Sequence, residues 1–331
     1  MRFRNAARLL PAAVWIAAWC PAWQPAWGQP AWRPDKPVEI VVTTAPGGSN
    51  DQVARIIQKI WQDEKLVAPP VLIVNKPGGN QTLAMVYLNQ HPGDGHYLLL
   101  ANPTVITNHI TGISPLALAD FSPIANLLFE HSAISVRADS PVRTIQDLGA
   151  RLKADPDSMS LGIVARGGVN HLAVSMAIKS AGADPRRVRA VVFKTNAESM
   201  IALAGGHIQL VASSVTSANT QAKVGTARIV AIAAHQRMGG AFAGIPTFRE
   251  QGVTSWVSNW RAIMGPKGLT PAQIAFWEEA LARVVATDEW KKQVEQQQWG
   301  GQFMRSAEFS KYLENEYAIT RAMLAELGLA K

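Results

Sequence analysis

Short apolar runs alternate with amphipathic segments along most of the chain. The runs are rich in β-branched and other apolar residues and predict strands at residues 38–43, 71–74, 97–101, 133–136, 159–164, 188–193, 208–212 and 228–233. The intervening segments predict helices at residues 51–65, 81–90, 144–154, 171–181, 197–204 and 217–224. Several runs are apolar without interruption, which is typical of strands covered by helices on both faces. The alternation therefore predicts an α/β fold.

The C-terminal part has a different pattern. Three amphipathic segments at residues 271–285, 289–297 and 306–327 predict successive helices, and the first follows a Thr270-Pro271 start signal. No strand is predicted after Met264.

The N-terminus has the pattern of a secretory signal peptide. Residues 1–8 carry three arginines and no acid, and residues 9–27 are apolar but broken by Pro11 and Pro21. We expect cleavage near Gly28, so that 1–28 is the signal peptide and the mature protein is exported. The alternative is a retained anchor or a lipoprotein attached through Cys20, although Trp19 stands where a lipoprotein signal needs a small residue.

Composition excludes several classes of function. Cys20 is the only cysteine and leaves with the signal, so no disulfide or cysteine-based metal site is expected. The remaining residues, about 300, suit one large or two medium domains. Loss of three N-terminal arginines lowers the net charge of +8 to +5, and no lysine or arginine run suggests nucleic acid. Because neither a P-loop nor a G-x-G-x-x-G fingerprint is present, and His91 and His96 flank only a turn, neither a cofactor nor a metal is predicted.

Glycine pairs follow several of the predicted strands. The run at 38–43 stops at Gly47-Gly48 and passes through Ser49, Asn50 and Asp51 into a helix. A helix start offers unpaired N–H groups and a partial positive charge, and glycine lets a ligand approach the main chain, so this turn suits a carboxylate. It can equally be an ordinary turn with Ser49 or Asn50 as the N-cap.

Similar glycine turns occur at residues 75–81 and 163–171. Ligands of open α/β sheets bind beyond the carboxyl ends of strands, so the repetition of these turns favours a shared cleft.

The order of motifs is similar to that of a known family. The chain has Ala-Pro-Gly-Gly-Ser-Asn-Asp at 45–51, Asn-Lys-Pro-Gly-Gly at 75–79 and Pro-Gly-Asp-Gly-His-Tyr-Leu-Leu at 92–99. The similarity continues through 120–125, 170–172, 193–194, 203–208, 245–248 and 265–266. In this order the chain resembles the Bug family, the TctC-like periplasmic receptors of tripartite tricarboxylate transporters.

The resemblance implies a two-lobed fold of the type II periplasmic-binding-protein class with a hinge. Lobe one would comprise residues 29–133 and 254–331, with the C-terminal helices packed on it, and lobe two residues 134–253. The implied function is capture of a small carboxylate between the lobes and its delivery to membrane permease subunits, with the receptor itself a monomer. A ligand-binding sensor without a transporter, or a secreted α/β hydrolase, are the alternatives. Because no G-x-S-x-G elbow is present, we expect a protein that is not an enzyme.

The resemblance also implies the ligand-binding residues. Those from lobe one are Thr44, Gly47, Gly48, Ser49, Asn50, Asp51, Gly78, Gly79 and Asn80. Those from lobe two are Ala165, Arg166, Gly167, Gly168, Asn170 and His171. The ends of predicted strands add Asn102, Thr104, Ser213 and Ser214 as further candidates, which can equally be turn or cap residues.

Four of the side chains near the expected cleft have alternative roles. Arg166 could form a bidentate pair with a carboxylate or lie in solvent. Asp51 would repel an anion and is expected to turn away and cap its own helix. His171 could donate to the ligand or serve local capping and packing. For Trp256, as for the nearby Trp260, core packing is favoured over a place in the cleft.

Overall fold

The computed structural model describes residues 32–234 and 236–331. The predicted signal peptide and Cys20 lie outside these residues. The strands are β1 (Val38–Val42), β2 (Val71–Asn75), β3 (Tyr97–Ala101), β4 (Phe121–Glu130), β5 (Ser132–Arg137), β6 (Ser160–Ile163), β7 (Arg189–Val192), β8 (Leu210–Ser214), β9 (Ala227–Ile232), β10 (Asn259–Pro266) and β11 (Met304–Arg305). The helices are α1 (Ser49–Asp63), α2 (Thr82–Asn89), α3 (Thr104–Ile110), α4 (Ile145–Ala154), α5 (Val169–Ser180), α6 (Asn196–Ala204), α7 (Val215–Lys223), α8 (Pro271–Ala286), α9 (Asp288–Gln297) and α10 (Ser306–Glu326).

The strands form two sheets. The first has the order β11-β4-β10-β3-β1-β2, in which β1 is parallel to β2 and β3 whereas β10 is antiparallel to β3 and β4. The second has the order β7-β6-β8-β5-β9, in which β6 is parallel to β7 and β8 whereas β5 is antiparallel to β8 and β9. We call each sheet with its helices a lobe. The predicted α/β class is confirmed.

The chain passes between the sheets twice. The first passage is at His131, between β4 and β5, and the return lies between the end of β9 and the start of β10. Lobe one is therefore built from two separate parts of the chain. The boundaries predicted at 133/134 and 253/254 stay a prediction.

Apolar faces of helices cover the first sheet on both sides. On one side α1 buries Val53, Ile57 and Trp61, and the Trp61 ring lies 5.3 Å from that of Trp277 on α8. The two indoles also donate hydrogen bonds to the backbone carbonyls of Ala280 and Gly95. Helices α8 and α10 both contact β4. This confirms the prediction that the C-terminal helices pack on lobe one.

Local signals place many of the helix ends correctly. Thr270 caps α8 by accepting the Gln273 N–H at 3.3 Å, and Pro271 is the first helical residue, as the sequence predicts. Trp260 is fully buried and Trp256 nearly so, in agreement with core packing.

Four elements are not visible in the sequence pattern. Strands β4 and β10 were not predicted because polar residues interrupt their apolar character. Among these, Asn126 in β4 donates through Nδ2 to the Gln302 carbonyl at 2.8 Å, a tertiary contact that the local pattern does not indicate. The prediction of no strand after Met264 is wrong, since β10 continues to Pro266 and β11 pairs with β4 through Met304 and Arg305. Helix α3, seven residues long, was also missed.

Candidate functional site

A cavity of about 510 Å³ lies between the two sheets. Its first-lobe wall consists of Thr44, Gly47, Gly48, Ser49, Gln81, Asn102, Pro103, Thr104, Glu130, Asn259 and Arg261. Its second-lobe wall consists of Val164, Ala165, Gly168, Val169, Asn170, His171, Lys194, Thr195, Asn196, Ala197, Ser214 and Ser217. Helices α1, α3, α5, α6 and α7 all begin at this wall. Each follows a strand directly, so the carboxyl ends of the strands direct the helix starts into one space.

Each lobe contributes a loop of the same length and similar backbone conformation to the cavity. Residues 45–51 read Ala-Pro-Gly-Gly-Ser-Asn-Asp and residues 165–171 read Ala-Arg-Gly-Gly-Val-Asn-His. In both, the first glycine has a positive φ, 81° at Gly47 and 72° at Gly167. The second glycine donates to the alanine carbonyl, at 3.0 Å in lobe one and 3.2 Å in lobe two. Only glycine adopts such a φ without strain, which explains why both lobes use it.

A side chain four residues further on closes each loop. The Gly47 N–H donates to the Asp51 carboxylate and the Gly167 N–H donates to His171 Nδ1, both at 2.9 Å. Both closing bonds involve the loop that precedes the helix. They leave free the N–H groups in the first turns of α1 and α5, which have no acceptor within the helix. The N-caps of α1 and α5 are Gly48 and Gly168, which have no side chain to accept a hydrogen bond from the helix start. In α6 and α7, by contrast, the hydroxyls of Thr195 and Ser214 accept hydrogen bonds from backbone N–H groups. Helices α1 and α5 thus present uncapped starts to the cavity.

His171 Nδ1 must carry no proton to accept its hydrogen bond, and the Asp51 carboxyl group accepts more strongly when it is ionised. Burial alone would raise the pKa of Asp51, but hydrogen bonds from Arg55, Gly47 and Asn75 hold it below its ordinary value. Burial, assisted by the positive charge of Arg166, lowers the pKa of His171 to about 4. At neutral pH His171 is therefore an uncharged acceptor. Asp51 turns away from the cavity, as expected, but it accepts from the Gly47 N–H of its loop and does not cap α1, whose N-cap is Gly48.

An ion pair lies in the first-lobe wall. Arg261 Nη2 donates to Glu130 Oε2 at 2.6 Å and to Ser49 Oγ at 3.3 Å, and Arg261 Nη1 donates to Asn259 Oδ1 at 2.6 Å. The Arg261 side chain is 5% exposed and that of Glu130 12%. Sequence reasoning missed this pair. Its only local sign is the presence of charged residues beside apolar runs, and the two partners are far apart in the chain.

The wall also carries a cation and several unsatisfied polar atoms. Lys194 forms no ion pair with any residue that the structure describes. Buried side-chain atoms without a hydrogen-bond partner within the described chain include Thr44 Oγ1, Gln81 Oε1, Asn196 Oδ1 and Arg261 Nε. Buried polar atoms are normally paired, so these atoms favour a polar occupant of the cavity.

The structure brings together many, but not all, of the residues named from the sequence. Those in the wall are Thr44, Gly47, Gly48, Ser49, Asn102, Thr104, Ala165, Gly168, Asn170, His171 and Ser214. Those outside it are Asn50, Asp51, Gly78, Gly79, Asn80, Arg166, Gly167 and Ser213. Gln81, which was not named, is the part of the third glycine turn that reaches the wall.

Specific contacts explain these displacements. Arg166 donates to the Ala190 carbonyl at 3.2 Å, outside the cavity. Asn80 instead pairs with Asn108, donating to its Oδ1 at 2.6 Å. The Asn50 side chain lies below the wall and donates to Thr43 Oγ1 at 2.7 Å. The Ser213 hydroxyl donates to the Ser214 carbonyl at 3.2 Å.

A larger cavity of about 710 Å³ is lined by both connections between the sheets and by parts of α9 and α10. It shares only Glu130 and Asn259 with the smaller cavity. Neither of the two equivalent loops, 45–51 and 165–171, contributes to its wall, so we assign the candidate ligand site to the smaller cavity. Over residues 32–234 and 236–331, no cluster of three potential metal-binding side chains occurs. Within the same residues, none of the helices combines the length and the apolarity that a membrane span requires.

Comparison with known proteins gives consistent matches. The family model described as the tripartite tricarboxylate transporter family receptor, TctC, matches residues 53–329. The "UPF0065 protein in gbd 5′region" of Cupriavidus necator is 26% identical over 299 residues, which cover 90% of this chain and 89% of that protein.

Solved structures share the fold. One is an R. palustris protein with adipate, with a TM-score of 0.76 at 22% identity, covering 90% of this chain and 99% of that chain. Another is MatC from Rhodopseudomonas palustris with bound malate, with a TM-score of 0.73 at 20% identity, covering 88% and 99%. These likenesses confirm the two-lobed periplasmic-binding-protein fold. With a family model that matches most of its length, the chain belongs to the tripartite tricarboxylate transporter receptor (TctC) family of solute-binding proteins.

Proposed function

We propose that this protein is a periplasmic receptor that captures a small carboxylate between its two lobes and delivers it to the membrane permease subunits of a tripartite tricarboxylate-type transporter. The observation that carries the proposal is the pair of equivalent loops, 45–51 and 165–171, whose uncapped helix starts share one cavity. Helix starts carry a partial positive charge and free N–H donors, which suit an anion.

The size and charge of the cavity support the same conclusion. A volume of about 510 Å³ falls within the range of small-molecule sites. Because Arg261 and Glu130 compensate each other and His171 is uncharged, Lys194 adds a net positive charge to that of the helix starts. The adipate and malate in the two related structures are both dicarboxylates.

The proposed ligand contacts divide between main chain and side chains. The backbone at Ser49, Val169 and Asn170 supplies N–H donors, and Lys194 supplies a charge from lobe two. We assign His171 and Asp51 to positioning, since each holds the first glycine of its loop. A ligand held from both lobes binds the closed arrangement better than an open one, and that difference in affinity drives closure.

Further parts of the proposal follow from family membership. We propose export with removal of residues 1–28, action as a monomer and no enzymatic activity. A sensor that binds the same ligand without a transporter would use the same cavity. Uptake of labelled ligand into cells lacking this gene distinguishes the two functions, because only the transport role predicts lost uptake.

The direct test is calorimetry on protein that has been unfolded, cleared of bound ligand and refolded. A panel of di- and tricarboxylates, acidic amino acids and aromatic carboxylates should contain at least one ligand with a Kd in the micromolar range or better, about −8 kcal/mol. A matched panel of the corresponding amides, which lack the anionic group, should not bind. No binding by any carboxylate would reject the proposal.

A further inference from the structure

Anion binding by the two loops does not explain why an ion pair, Arg261 with Glu130, lies in the cavity wall. Arg261 and Glu130 are nearly buried, and both line the cavity. A backbone receptor for a carboxylate needs neither of them, and Arg261 compensates the charge of Glu130 through one of its two oxygens.

Among the described residues, the hydrogen bonds to Glu130 use one of its two carboxylate oxygens. Arg261 Nη2 and Asn259 Nδ2 both donate to Oε2, at 2.6 and 3.1 Å. The described residues supply no donor to Oε1. Glu130 therefore has a carboxylate oxygen that can accept a donor from a ligand, and its side chain lines the cavity whose loops supply donors to an anion.

The acceptor and the anion receptor are adjacent. Arg261 Nη2 contacts both Glu130 Oε2, at 2.6 Å, and the hydroxyl of Ser49, at 3.3 Å. Ser49 is the first residue of α1 and belongs to the uncapped helix start. A carboxylate bound at this helix start would lie close to Glu130, because Arg261 contacts both Ser49 and Glu130.

We propose that the ligand is an amino acid, in which the carboxylate binds the helix starts and the ammonium group meets Glu130. This inference rests on the proposed carboxylate function and refines it. An ammonium group forms a charge-assisted hydrogen bond with Glu130, a hydroxyl forms a weaker one, and an unsubstituted carbon leaves the carboxylate facing an aliphatic group. Glu130 is then the residue that determines specificity, and Arg261 positions it.

The test uses three matched sets of ligands that differ only in one substituent. They are aspartate, malate and succinate; alanine, lactate and propionate; and phenylalanine, phenyllactate and phenylpropionate. In at least one set, calorimetry should show the amino acid binding at least about tenfold tighter than the unsubstituted acid, with the hydroxy acid between them. Equal affinities within every set that binds would overturn this inference but leave the carboxylate function intact. No binding in any set, or to the wider carboxylate panel, would reject both.

A substitution assigns the preference to its residue. Glu130→Gln keeps the shape but turns an amide toward the ammonium group, so the preference for the amino acid should fall at least about tenfold. The affinity for the unsubstituted acid should change less than about threefold. Glu295→Gln, an exposed glutamate of the larger cavity, is the matched control and should preserve the ranking. Equal weakening of all three ligands by Glu130→Gln would show a structural role only. If that variant does not fold, the ranking in the unmodified protein still decides the inference.

Discussion

The buried carboxyl group of Glu316 accepts a hydrogen bond from the backbone N–H of Ser258 at 2.8 Å. Glu316 belongs to α10, and Ser258 lies in the segment that returns the chain from the second sheet to the first. The Tyr312 hydroxyl donates to the same carboxyl group at 3.1 Å. A lobe-one helix thus fixes one of the two connections between the sheets.

This contact makes stability depend on pH. Burial raises the pKa of Glu316 to about 7, although the hydrogen bonds from Ser258 and Tyr312 oppose the rise. Between its ordinary value and about 7 the folded state holds the extra proton, so this group's contribution to stability is present at low pH and is lost as the pH rises through that range. Glu316→Gln removes the contribution of this group to the pH dependence. The difference in free energy of unfolding, variant minus unmodified protein, should therefore increase by roughly 3 kcal/mol as the pH rises from 4.5 to 7.

Urea titrations across this pH range measure the effect. Glu314→Gln, an exposed substitution on the same helix, is the control and should follow the unmodified protein. A pH-independent difference for Glu316→Gln would contradict the raised pKa.

His171 should give a pH dependence of opposite sign. Its pKa is lowered to about 4, so the folded state binds the proton less well than the unfolded chain, and stability is lost as the pH falls from 6.5 toward 4. His171→Asn keeps an acceptor for the Gly167 N–H and removes the titration. The difference in free energy of unfolding, variant minus unmodified protein, should therefore increase by roughly 3 kcal/mol as the pH falls from 6.5 toward 4.

Chemical denaturation at several pH values tests this, with the exposed His207→Asn as control. Because the effects of Glu316 and His171 oppose each other between pH 4.5 and 6.5, each single variant should show a steeper pH profile than the unmodified protein. A profile for His171→Asn that runs parallel to the unmodified protein would disprove the assignment.

Gly48 is required for steric reasons rather than for its backbone conformation. Its φ of −70° suits any residue, but a Cβ here would lie 2.7 Å from Thr44 Oγ1 and 2.8 Å from Thr44 Cβ. Gly48→Ala should therefore displace the loop, lower ligand affinity at least about tenfold and lower the free energy of unfolding by about 1–3 kcal/mol. Calorimetry and denaturation measure the two effects. Gly244→Ala, where a Cβ meets nothing within 4 Å, should change neither, and unaltered binding by Gly48→Ala would exclude this loop from the site.

Two cations of lobe two, Lys194 and Arg166, should affect ligand binding differently. Lys194 lines the cavity, whereas Arg166 donates to the Ala190 carbonyl outside it. Lys194→Ala should weaken binding of an anionic ligand about five- to tenfold, and its effect should shrink at high salt. Arg166→Ala should change the affinity less than about twofold. The opposite order of effects would place the Arg166 side chain in the site after all.

The sequence alone carried the features that depend on near neighbours in the chain. The apolar runs defined β1, β3 and β6, and the glycine pairs at 47–48 and 167–168 marked the loops that leave β1 and β6, because strand burial and a positive φ are local requirements. The motif order also gave the family, which the family model confirms over residues 53–329.

Only the tertiary structure decided which of these features share a space. The third glycine turn has the same local signal as the other two, yet only Gln81 reaches the cavity, since Asn80 pairs with Asn108. Glu130 and Arg261 meet because β10 inserts between β3 and β4, and this antiparallel pairing joins positions 131 residues apart. Contacts of that separation are set by how sheets assemble. A local pattern of hydrophobic and polar residues therefore cannot specify them.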